Sequence, residues 1–537
     1  MLLLVGLKHC LINLAAVLLG ALLFAGAHPN VLFANGLPFL AWIAYIPVFW
    51  LVNRTHIAAT PFWGALYGYT AYALFNYWLA GFHPLAGLAV SLIYMAYFML
   101  LFPLFKLSYI LFPKKGYILQ WLLWLSYEYI RTLGFLGYTY GITGYTQWQI
   151  IPLIQIADTL SVWGVSALVI FPSAYIAAFL RRGISIKNFL AEEKISAIAF
   201  TLALTGVLIY GLNAQVDYSD KPTRRIALIQ HNTDPWIGGL PEYRRNFEIL
   251  RRLSDEAIAQ NPKPDLVVWS ETAFIPRIYW HINYRGSPDS FALVMDLMNY
   301  LATQEVPFII GNDDSRKDPA INPRTEEDYR VNYNAALLFE RGKLVDQYRK
   351  VHLVPFTETF PFERQFPHIY SVLRSRDDIH LWEAGKEFNV LETGGFRFGT
   401  PICFEDTFGY ISRIFVQNGA ELLVNLTNDA WSQSLSAQMQ RMSIAVFRSV
   451  ENRRSTVRST SSGQTSGIDP NGRVIAMANA FEEVHLTVEV PIVNDETRYT
   501  RYGDFFAVLC VVGFIFIFII GITVNIVKKV KSSQESD

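Results

Sequence analysis

A thiol, an ammonium and a carboxylate each follow a short strand-like run in the second half of this chain: Cys403, Lys350 and Glu271. A thiol becomes a strong nucleophile when a neighbouring base removes its proton, and Glu271 is a suitable base. The oxyanion that forms when a thiolate attacks a carbonyl group needs positive charge or N–H donors, which Lys350 and the backbone N–H of Phe404 can supply. Because functional side chains gather at the carboxyl ends of strands in α/β folds, we expect these residues to form one site for acyl transfer.

Each of these residues also has an ordinary interpretation. A free cysteine is usually a small buried hydrophobe, and a charge at a strand end usually belongs to a solvated loop. Cys10 and Cys510, the other two cysteines, lie in long apolar runs, which leaves no disulfide framework. His352 offers a second candidate base because it shares a strand face with Lys350, although a packed histidine is the simpler interpretation. The sequence has no metal-ligand spacing and no glycine-rich phosphate loop, so we expect no metal and no organic cofactor.

Residues 222–495 have the pattern of a soluble α/β domain. Short apolar runs alternate with amphipathic or mixed segments, which is typical of a layered arrangement with buried sheets. The predicted strands are 225–230, 265–269, 307–310, 335–339, 397–403, 421–426 and 484–490. The predicted helices are 243–258, 288–303 and 437–451. Asn471-Gly472 predicts a hairpin turn.

The rest of the chain is strongly apolar. With 52% hydrophobic and only 17% charged residues and a mean hydropathy of +0.25, the composition indicates a membrane protein. Eight runs approach the roughly 20 residues that a helix needs to cross about 30 Å of hydrocarbon. The predicted spans are 10–27, 36–53, 61–82, 86–105, 117–134, 161–180, 195–213 and 505–527. The formal net charge of zero gives no reason to expect nucleic acid as a partner.

Lysine and arginine residues predict the orientation of these spans. They cluster in every other loop and after the last span, which places both termini in the cytoplasm. The predicted organisation is a membrane domain with seven helices, an extracytoplasmic catalytic domain, an eighth helix and a cytoplasmic tail. Their bounds are 1–213, 214–504, 505–527 and 528–537.

Four short motifs surround the three reactive residues and carry a family resemblance. They are Val-Trp-Ser-Glu-Thr (268–272), Lys-Val-His-Leu-Val-Pro-Phe (350–356), Cys-Phe-Glu (403–405) and Asn-Asp-Ala-Trp (428–431). In chain order, Glu271, Lys350 and Cys403 resemble the Glu–Lys–Cys triad of the nitrilase superfamily. Together with the apolar spans, nearly the whole chain resembles the membrane-embedded branch of that superfamily, the apolipoprotein N-acyltransferases.

The resemblance implies an αββα sandwich on the periplasmic side of the bacterial inner membrane, with seven helices before it and one after it. It implies transfer of an acyl chain from a phospholipid, expected to be phosphatidylethanolamine, to the α-amino group of the N-terminal diacylglyceryl-cysteine of an apolipoprotein. The implied mechanism is ping-pong through a thioester on Cys403, with Glu271 as general base and Lys350 stabilising the oxyanion. We expect a monomer.

Supporting roles follow from the same resemblance, each with a plain alternative. Glu358 is expected to hold the lysine and the base in register; otherwise it is a loop carboxylate. Glu405 is expected to support the turn that carries the nucleophile. Trp236 is expected near the lipid entrance, Asn334 to hydrogen-bond within the site and Trp431 to line the pocket, although packing or strand-start roles explain the first two equally well.

Two positions depart from the family pattern. Phe404 stands where a tyrosine is common, which keeps the backbone N–H but removes a hydroxyl. Gln438 or Gln440 stands where a histidine is common after Asn-Asp-Ala-Trp.

Two other functions share parts of this pattern. A membrane-tethered amidase would use the same triad but gives no reason for eight spans. A transporter with a degenerate sensing domain would need several inward ionisable groups in its spans, whereas the sequence offers mainly Glu128 and Arg131, expected to be a structural pair. Because both proposed substrates carry acyl chains, we expect aromatic loops at 280–284 and 360–375 to cover the site as a lid; ordinary packing is the alternative.

Overall fold

The computed structural model describes residues 2–82, 84–234, 236–318, 330–360, 365–368 and 381–534. The chain divides into two compact units. The first comprises the segment up to Gln215, Ser432–Ser443 and the segment from Tyr502 onward. The second comprises Val216–Trp431 and Ile444–Arg501.

The first unit is helical. Its helices are Leu2–Ala27, Pro38–Ala41, Ile46–Arg54, Thr60–Phe75, Leu79–Phe82, Pro84–Leu111, Gly116–Ile130, Ile151–Ile154, Ala157–Arg182, Ile186–Glu192, Lys194–Asn213 and Phe505–Gln534, with 3₁₀ turns at Ile57–Ala59 and Thr143–Gln147. Among the described residues, five helices are long and apolar enough to cross a membrane. They are Gly6–Ala27, Leu85–Leu111, Ala157–Arg182, Lys194–Asn213 and Phe505–Ser532, and they fit a membrane protein.

The other three predicted spans form shorter helices, so a count of eight stays a prediction. Run 36–53 is divided between two helices, each with a proline in its first turn. Run 61–82 is interrupted after Phe75. Run 117–134 forms a helix of 15 residues, which at 1.5 Å per residue is about 22 Å long and shorter than the hydrocarbon layer.

Two ionisable residues of run 117–134 bind the segment that follows it. Glu128 accepts hydrogen bonds from the backbone N–H and the hydroxyl of Thr143 at 3.0 and 2.5 Å. Arg131 donates to the carbonyls of Tyr138 and Tyr140 at 3.0 and 2.8 Å. Both side chains are buried, so their role in this unit is to fix a loop.

The second unit contains two six-stranded sheets. The strands are β1 Thr223–Gln230, β2 Leu266–Trp269, β3 Phe308–Lys317, β4 Arg330–Glu340, β5 Lys343–Arg349, β6 Val390–Thr393, β7 Phe396–Gly399, β8 Leu422–Thr427, β9 Ser455–Thr460, β10 Ser466–Ile468, β11 Val474–Met477 and β12 Val484–Pro491. The first sheet has the order β12-β1-β2-β3-β4-β5 and the second β11-β10-β9-β8-β7-β6. The helices are Leu240–Ile258, Ile278–Tyr284, Pro288–Ala302, Gly409–Gln417 and Arg498–Tyr502, with 3₁₀ turns at Cys403–Thr407 and Ala430–Ser432. The helix Leu435–Asn452 begins in the first unit and ends in the second.

The sheets are packed together by an apolar core. Leu228 and Val268 of the first sheet and Val424 and Val457 of the second belong to one buried cluster. A separate cluster covers the other face of the first sheet with residues of Leu240–Ile258 and Pro288–Ala302, and Gly409–Gln417 packs on β7. The α/β sandwich with two packed sheets that the sequence predicts is therefore confirmed.

The predicted strand 397–403 is wrong over its last four residues. The strand β7 ends at Gly399, and Cys403 begins a 3₁₀ turn. Pro401 has no backbone N–H to donate to a ladder. Cys403 has a φ of 49°, which no strand residue adopts.

The predicted hairpin at Asn471-Gly472 is confirmed. It joins the antiparallel strands β10 and β11. Gly472 has a φ of 83°, a value that favours glycine.

Candidate active site

The polar residues predicted to react all follow strands of the second unit. Glu271 lies two residues after β2, Lys350 directly follows β5, and Cys403 lies four residues after β7. Strands β1 and β2 are parallel, as are β7 and β8. The structure brings the lysine and two carboxylates together and places the thiol near enough for its charge to act on Lys350.

Lys350 is the buried centre of this group. Its Nζ lies 2.7 Å from Oε1 of Glu358 and 3.6 Å from Oε1 of Glu271. Its side chain is 0% exposed, and the two carboxylates are nearly buried as well. Burial alone lowers the pKa of Lys350, but the charges of Glu358, Cys403 and Glu271 outweigh it and hold that pKa well above its ordinary value. The neighbouring charges therefore favour the protonated, positively charged form of the lysine.

Both carboxylate oxygens of Glu271 are held by donors. Asn334 donates its side-chain N–H to Oε1 at 2.8 Å. The backbone N–H of Asn428 donates to Oε2 at 2.9 Å. A Cβ at Gly311 would lie 2.2 Å from the Ser270 carbonyl oxygen, so only glycine allows β3 to approach this turn so closely. Glu271 is thus oriented before any substrate binds.

Cys403 occupies a strained turn and is only partly buried. A positive φ in a residue other than glycine costs free energy and is common at functional sites, where it re-aims a side chain. Asn425 of the neighbouring strand β8 stabilises this turn by donating to the Pro401 carbonyl at 2.9 Å. The turn that carries the thiol, called the elbow below, is therefore held by a side chain of the neighbouring strand.

Glu405 ties the elbow to the lysine strand. Its Oε1 accepts the Tyr348 hydroxyl and the backbone N–H groups of Val351 and His352 at 2.8 to 3.0 Å. Its Oε2 accepts the backbone N–H of Ile402 at 2.8 Å. Burial raises the pKa of Glu405 to about 7, against these hydrogen bonds and the Lys350 charge, which lower it. This carboxyl group joins the segments on either side of the site.

Phe404 and His352 lie in an aromatic group beside the thiol. Phe404 packs edge-on against Phe408 at 4.9 Å between ring centroids, and His352 lies 4.1 Å from the same ring. His352 Nδ1 lies 2.8 Å from the Tyr410 hydroxyl. Burial and the Lys350 charge lower the pKa of His352 to about 4, so it is a neutral packed histidine at pH 7.

Trp236 and Trp431 contact each other. Their ring centroids are 4.9 Å apart and the rings are nearly perpendicular. Trp236 follows β1 and is 50% exposed, whereas Trp431 is partly buried in the turn after Asn428. This pair flanks the loop that holds Glu271.

Gln438 and Gln440, the two glutamines that stand where a histidine is common in the family, belong to the first unit. Gln440 belongs to the first unit, where it accepts from the indole N–H of Trp78 at 3.1 Å and donates to the Pro29 carbonyl at 3.0 Å. Gln438 lies in the same unit and is buried.

The structure describes only part of the segments that were expected to form a lid. Trp280 is buried in the helix Ile278–Tyr284. Phe366 is 51% exposed, and Phe362 and Tyr370 lie outside the described residues. The lid remains a prediction.

Several contributors were missed from the sequence. Gly311 contributes through the close approach of its backbone and Asn428 through its backbone N–H. Neither contribution can be recognised from the residue type. A Cβ at Gly385 would lie 2.2 Å from the Arg349 carbonyl oxygen, and its N–H donates to the Lys350 carbonyl at 2.7 Å. The Asn-Asp-Ala-Trp motif was the one available signal for Asn428.

The arrangement has the parts needed for covalent acyl transfer. A buried cation lies beside an oriented carboxylate, the charge of a partly exposed thiol acts on that cation, and the N–H groups of a tight turn follow the thiol. Within the described ranges, no three His, Cys, Asp or Glu side chains are grouped as metal ligands.

Comparison with known proteins identifies the family. A carbon-nitrogen hydrolase model matches residues 225–499, and a model of the apolipoprotein N-acyltransferase N-terminal domain matches 19–175. Apolipoprotein N-acyltransferase 1 of Treponema denticola is 45% identical over 93% of this chain and 94% of its own. The protein of the same name in Treponema pallidum is 43% identical over 93% of both chains. The apolipoprotein N-acyltransferase of Borreliella burgdorferi is 31% identical over 91% of this chain and 92% of its own. The chain therefore belongs to the apolipoprotein N-acyltransferase family.

Proposed function

We propose that this protein transfers an acyl chain from a membrane phospholipid to the α-amino group of the N-terminal diacylglyceryl-cysteine of apolipoproteins. Family membership supports acyl transfer in lipoprotein maturation, and the apolar helices are consistent with a lipid donor. The observation that carries the proposal is the buried Lys350 between Glu271 and Glu358, close to Cys403.

In the first half-reaction, Glu271 takes the proton of the Cys403 thiol and the thiolate attacks the ester carbonyl of the phospholipid. Lys350 and the Phe404 N–H stabilise the oxyanion, and each such donor contributes roughly 10²–10³ in rate. The ester C–O bond then breaks. The lysophospholipid alkoxide leaves with the proton held by Glu271, and the acyl chain remains as a thioester on Cys403.

In the second half-reaction, the neutral α-amino group of the lipoprotein cysteine attacks the thioester carbonyl. The same donors stabilise the second oxyanion. The C–S bond breaks, Glu271 takes the proton from the amine nitrogen, and that proton returns to the thiolate. The products are an amide and free Cys403, so one site serves both substrates in turn.

The lysine has a specific part in this scheme. A lysine that lost its proton would leave the oxyanion without charge stabilisation. The neighbouring charges hold the Lys350 pKa high, and Glu358 takes its closest contact, which leaves Glu271 oriented by Asn334 and Asn428 as the base.

We further propose that the second unit faces the periplasm and that both termini are cytoplasmic. Both substrates carry acyl chains, and moving a lipid into water costs about 0.8 kcal/mol per CH₂. A site near the bilayer surface avoids this cost. Charge in the short loops supports the orientation.

A membrane-tethered amidase is the competing function because it would use the same thiol, base and cation. Incubation of the purified protein with phospholipid in detergent distinguishes the two. The proposal predicts a mass increase equal to one acyl chain on the peptide that contains Cys403, released by hydroxylamine. An unmodified peptide, together with ammonia release from simple amides, would favour the amidase.

A further inference from the structure

We propose that Arg458 is a positioning residue that keeps the turn bearing Cys403 and the loop binding Glu271 in fixed register. The inference rests on the proposed acyl transfer through Cys403. It concerns a residue that touches neither Cys403 nor Glu271 but contacts the turn that carries Cys403 and the loop that hydrogen-bonds to Glu271.

Arg458 is a fully buried guanidinium in the middle of β9. Its Nη1 lies 2.6 Å from Oδ2 of Asp406, and its Nη2 lies 3.8 Å from Oδ2 of Asp429. Both aspartates are buried as well. One planar guanidinium therefore donates a hydrogen bond to Asp406 and lies within ion-pair distance of Asp429 without hydrogen-bonding to it, and an ammonium does not reproduce this planar geometry.

The first contact holds the nucleophile turn. Asp406 lies in the 3₁₀ turn Cys403–Thr407, three residues after the thiol. Arg458 is also the register partner of Asn425 in the neighbouring strand, and Asn425 donates to the Pro401 carbonyl at 2.9 Å. Two neighbouring side chains of the second sheet, Asn425 and Arg458, thus contact the turn at Pro401 and Asp406, on either side of Cys403.

The second contact is an ion pair at 3.8 Å with the loop that binds the base. Asp429 directly follows Asn428, whose backbone N–H donates to Oε2 of Glu271 at 2.9 Å. The Asn428 side chain accepts from the Ser461 hydroxyl at 2.6 Å. A Cβ at Gly463 would lie 2.8 Å from the Asp429 side chain, so the segment after β9 packs directly on this loop. A shift of Arg458 would change the position of the donor to Glu271.

The simpler alternative is that Arg458 only neutralises two buried carboxylates. Lysine carries the same charge without the planar fork, so Arg458→Lys separates the two roles. Arg454 provides a matched control. It is also a buried arginine of this segment, but it donates to the carbonyls of Ala420, Asn452 and Asp495, which lie outside the site.

Full-length variants in detergent would be tested for thermal unfolding, for single-turnover acylation by phospholipid, and for alkylation of Cys403 by iodoacetamide against pH. Cys10→Ser and Cys510→Ser remove the other thiols from the alkylation measurement. We expect Arg458→Lys to slow acylation roughly 10- to 100-fold, because a shift of about 1 Å has effects of that size, with an unchanged KM for lipid. Alkylation should also slow and require a higher pH. Arg454→Lys should lose stability without either kinetic change.

A double-mutant cycle of Asp406→Asn and Asp429→Asn keeps the test valid if Arg458→Lys does not fold. If one guanidinium couples the two segments, the double variant should be clearly less impaired in acylation than the product of the two single effects. Independent, multiplying effects, or equal rates for Arg458→Lys and Arg454→Lys, would overturn the inference. Activity retained in Cys403→Ala would instead refute the proposed function, so the two failures are distinguishable.

Discussion

Lys350 and Glu358 form a buried ion pair with 2.7 Å between Nζ and Oε1. This distance is shorter than the 3.6 Å that separates the same ammonium from Glu271. The closer carboxylate therefore neutralises the lysine, and Glu271 is held by hydrogen-bond donors instead. Two chemically identical carboxylates therefore have different closest partners, the ammonium for Glu358 and amide N–H donors for Glu271.

Glu358→Gln should abolish this division. The ammonium would lose its nearest partner and move closer to Glu271, whose existing 3.6 Å ion pair would then tighten and make it a weaker base. We expect single-turnover acylation to fall roughly 100-fold or more, comparable to losing an oxyanion donor. Removal of one member of a buried pair also costs about 3–5 kcal/mol, which thermal unfolding in detergent would show.

The control for this substitution is Glu305→Gln. Glu305 pairs with Lys263 at 3.2 Å on the exposed surface, where an ion pair contributes at most about 1 kcal/mol. Glu305→Gln should leave the single-turnover acylation rate and the unfolding temperature nearly unchanged. Equal effects of the two substitutions would show that Glu358 has no special role.

Glu405→Gln should loosen the connection between the lysine strand and the nucleophile turn. Four donors converge on the carboxylate, and an amide would point its NH₂ group at one or more of them. An unsatisfied buried group costs about 1–3 kcal/mol. We expect a lower unfolding temperature and slower acylation, with the KM for lipid unchanged. A variant with wild-type acylation would contradict the connecting role.

Protonation of His352 should affect stability with a defined sign. Its pKa is about 4 in the folded protein and about 6.5 in an unfolded chain. Between these values the unfolded chain binds more protons, so the folded state loses stability as the pH falls from 6.5 to 4, by at most about 1.4 kcal/mol per pH unit. Unfolding temperatures of His352→Asn, measured against pH beside the wild type, should lack this component. Parallel curves would show that the imidazole is solvated.

Exposed aromatic residues test the lid. Phe366→Ser should raise the KM for phospholipid several-fold and leave single-turnover acylation at saturating lipid unchanged, because the side chain would contribute to lipid binding and not to chemistry. Val345→Ser is the control, since Val345 is equally exposed at 50% but lies in β5 several residues before Lys350. An unchanged KM for Phe366→Ser would eliminate the lid role of this residue.

Strands rich in apolar residues could be predicted from the sequence, whereas strands rich in polar residues could not. Strands β2 and β8 read as Leu-Val-Val-Trp and Leu-Leu-Val-Asn-Leu-Thr and lie within one residue of their predicted starts. Strand β9 reads as Ser-Thr-Val-Arg-Ser-Thr and yet every residue is buried. Its polar side chains find partners inside, as when Ser459 donates to the Val268 carbonyl at 3.0 Å. Such compensation is a tertiary property that a hydrophobic pattern does not reveal.

The candidate site was predictable in residue type but not in geometry. Glu271, Lys350 and Cys403 were predicted from their order and flanking motifs. The strand before Cys403, however, was expected to continue as far as that residue, whereas it ends at Gly399. The backbone donor at Asn428 and the close approach at Gly311 depend on chain packing. The two acidic residues after Cys403, Glu405 and Asp406, point to different supporting partners, Tyr348 and Arg458, which sequence alone does not distinguish.

The most direct test of the account is the mass of a lipoprotein N-terminus produced by Cys403 variants. Cells or proteoliposomes that depend on this protein would carry the wild type, Cys403→Ala or Cys403→Ser, and the N-terminal peptide would be analysed by mass spectrometry. The account predicts a triacylated peptide with the wild type and only the diacylglyceryl form with Cys403→Ala, although the variant protein folds and inserts normally. A triacylated peptide from Cys403→Ala would contradict the central claim that Cys403 carries the acyl chain.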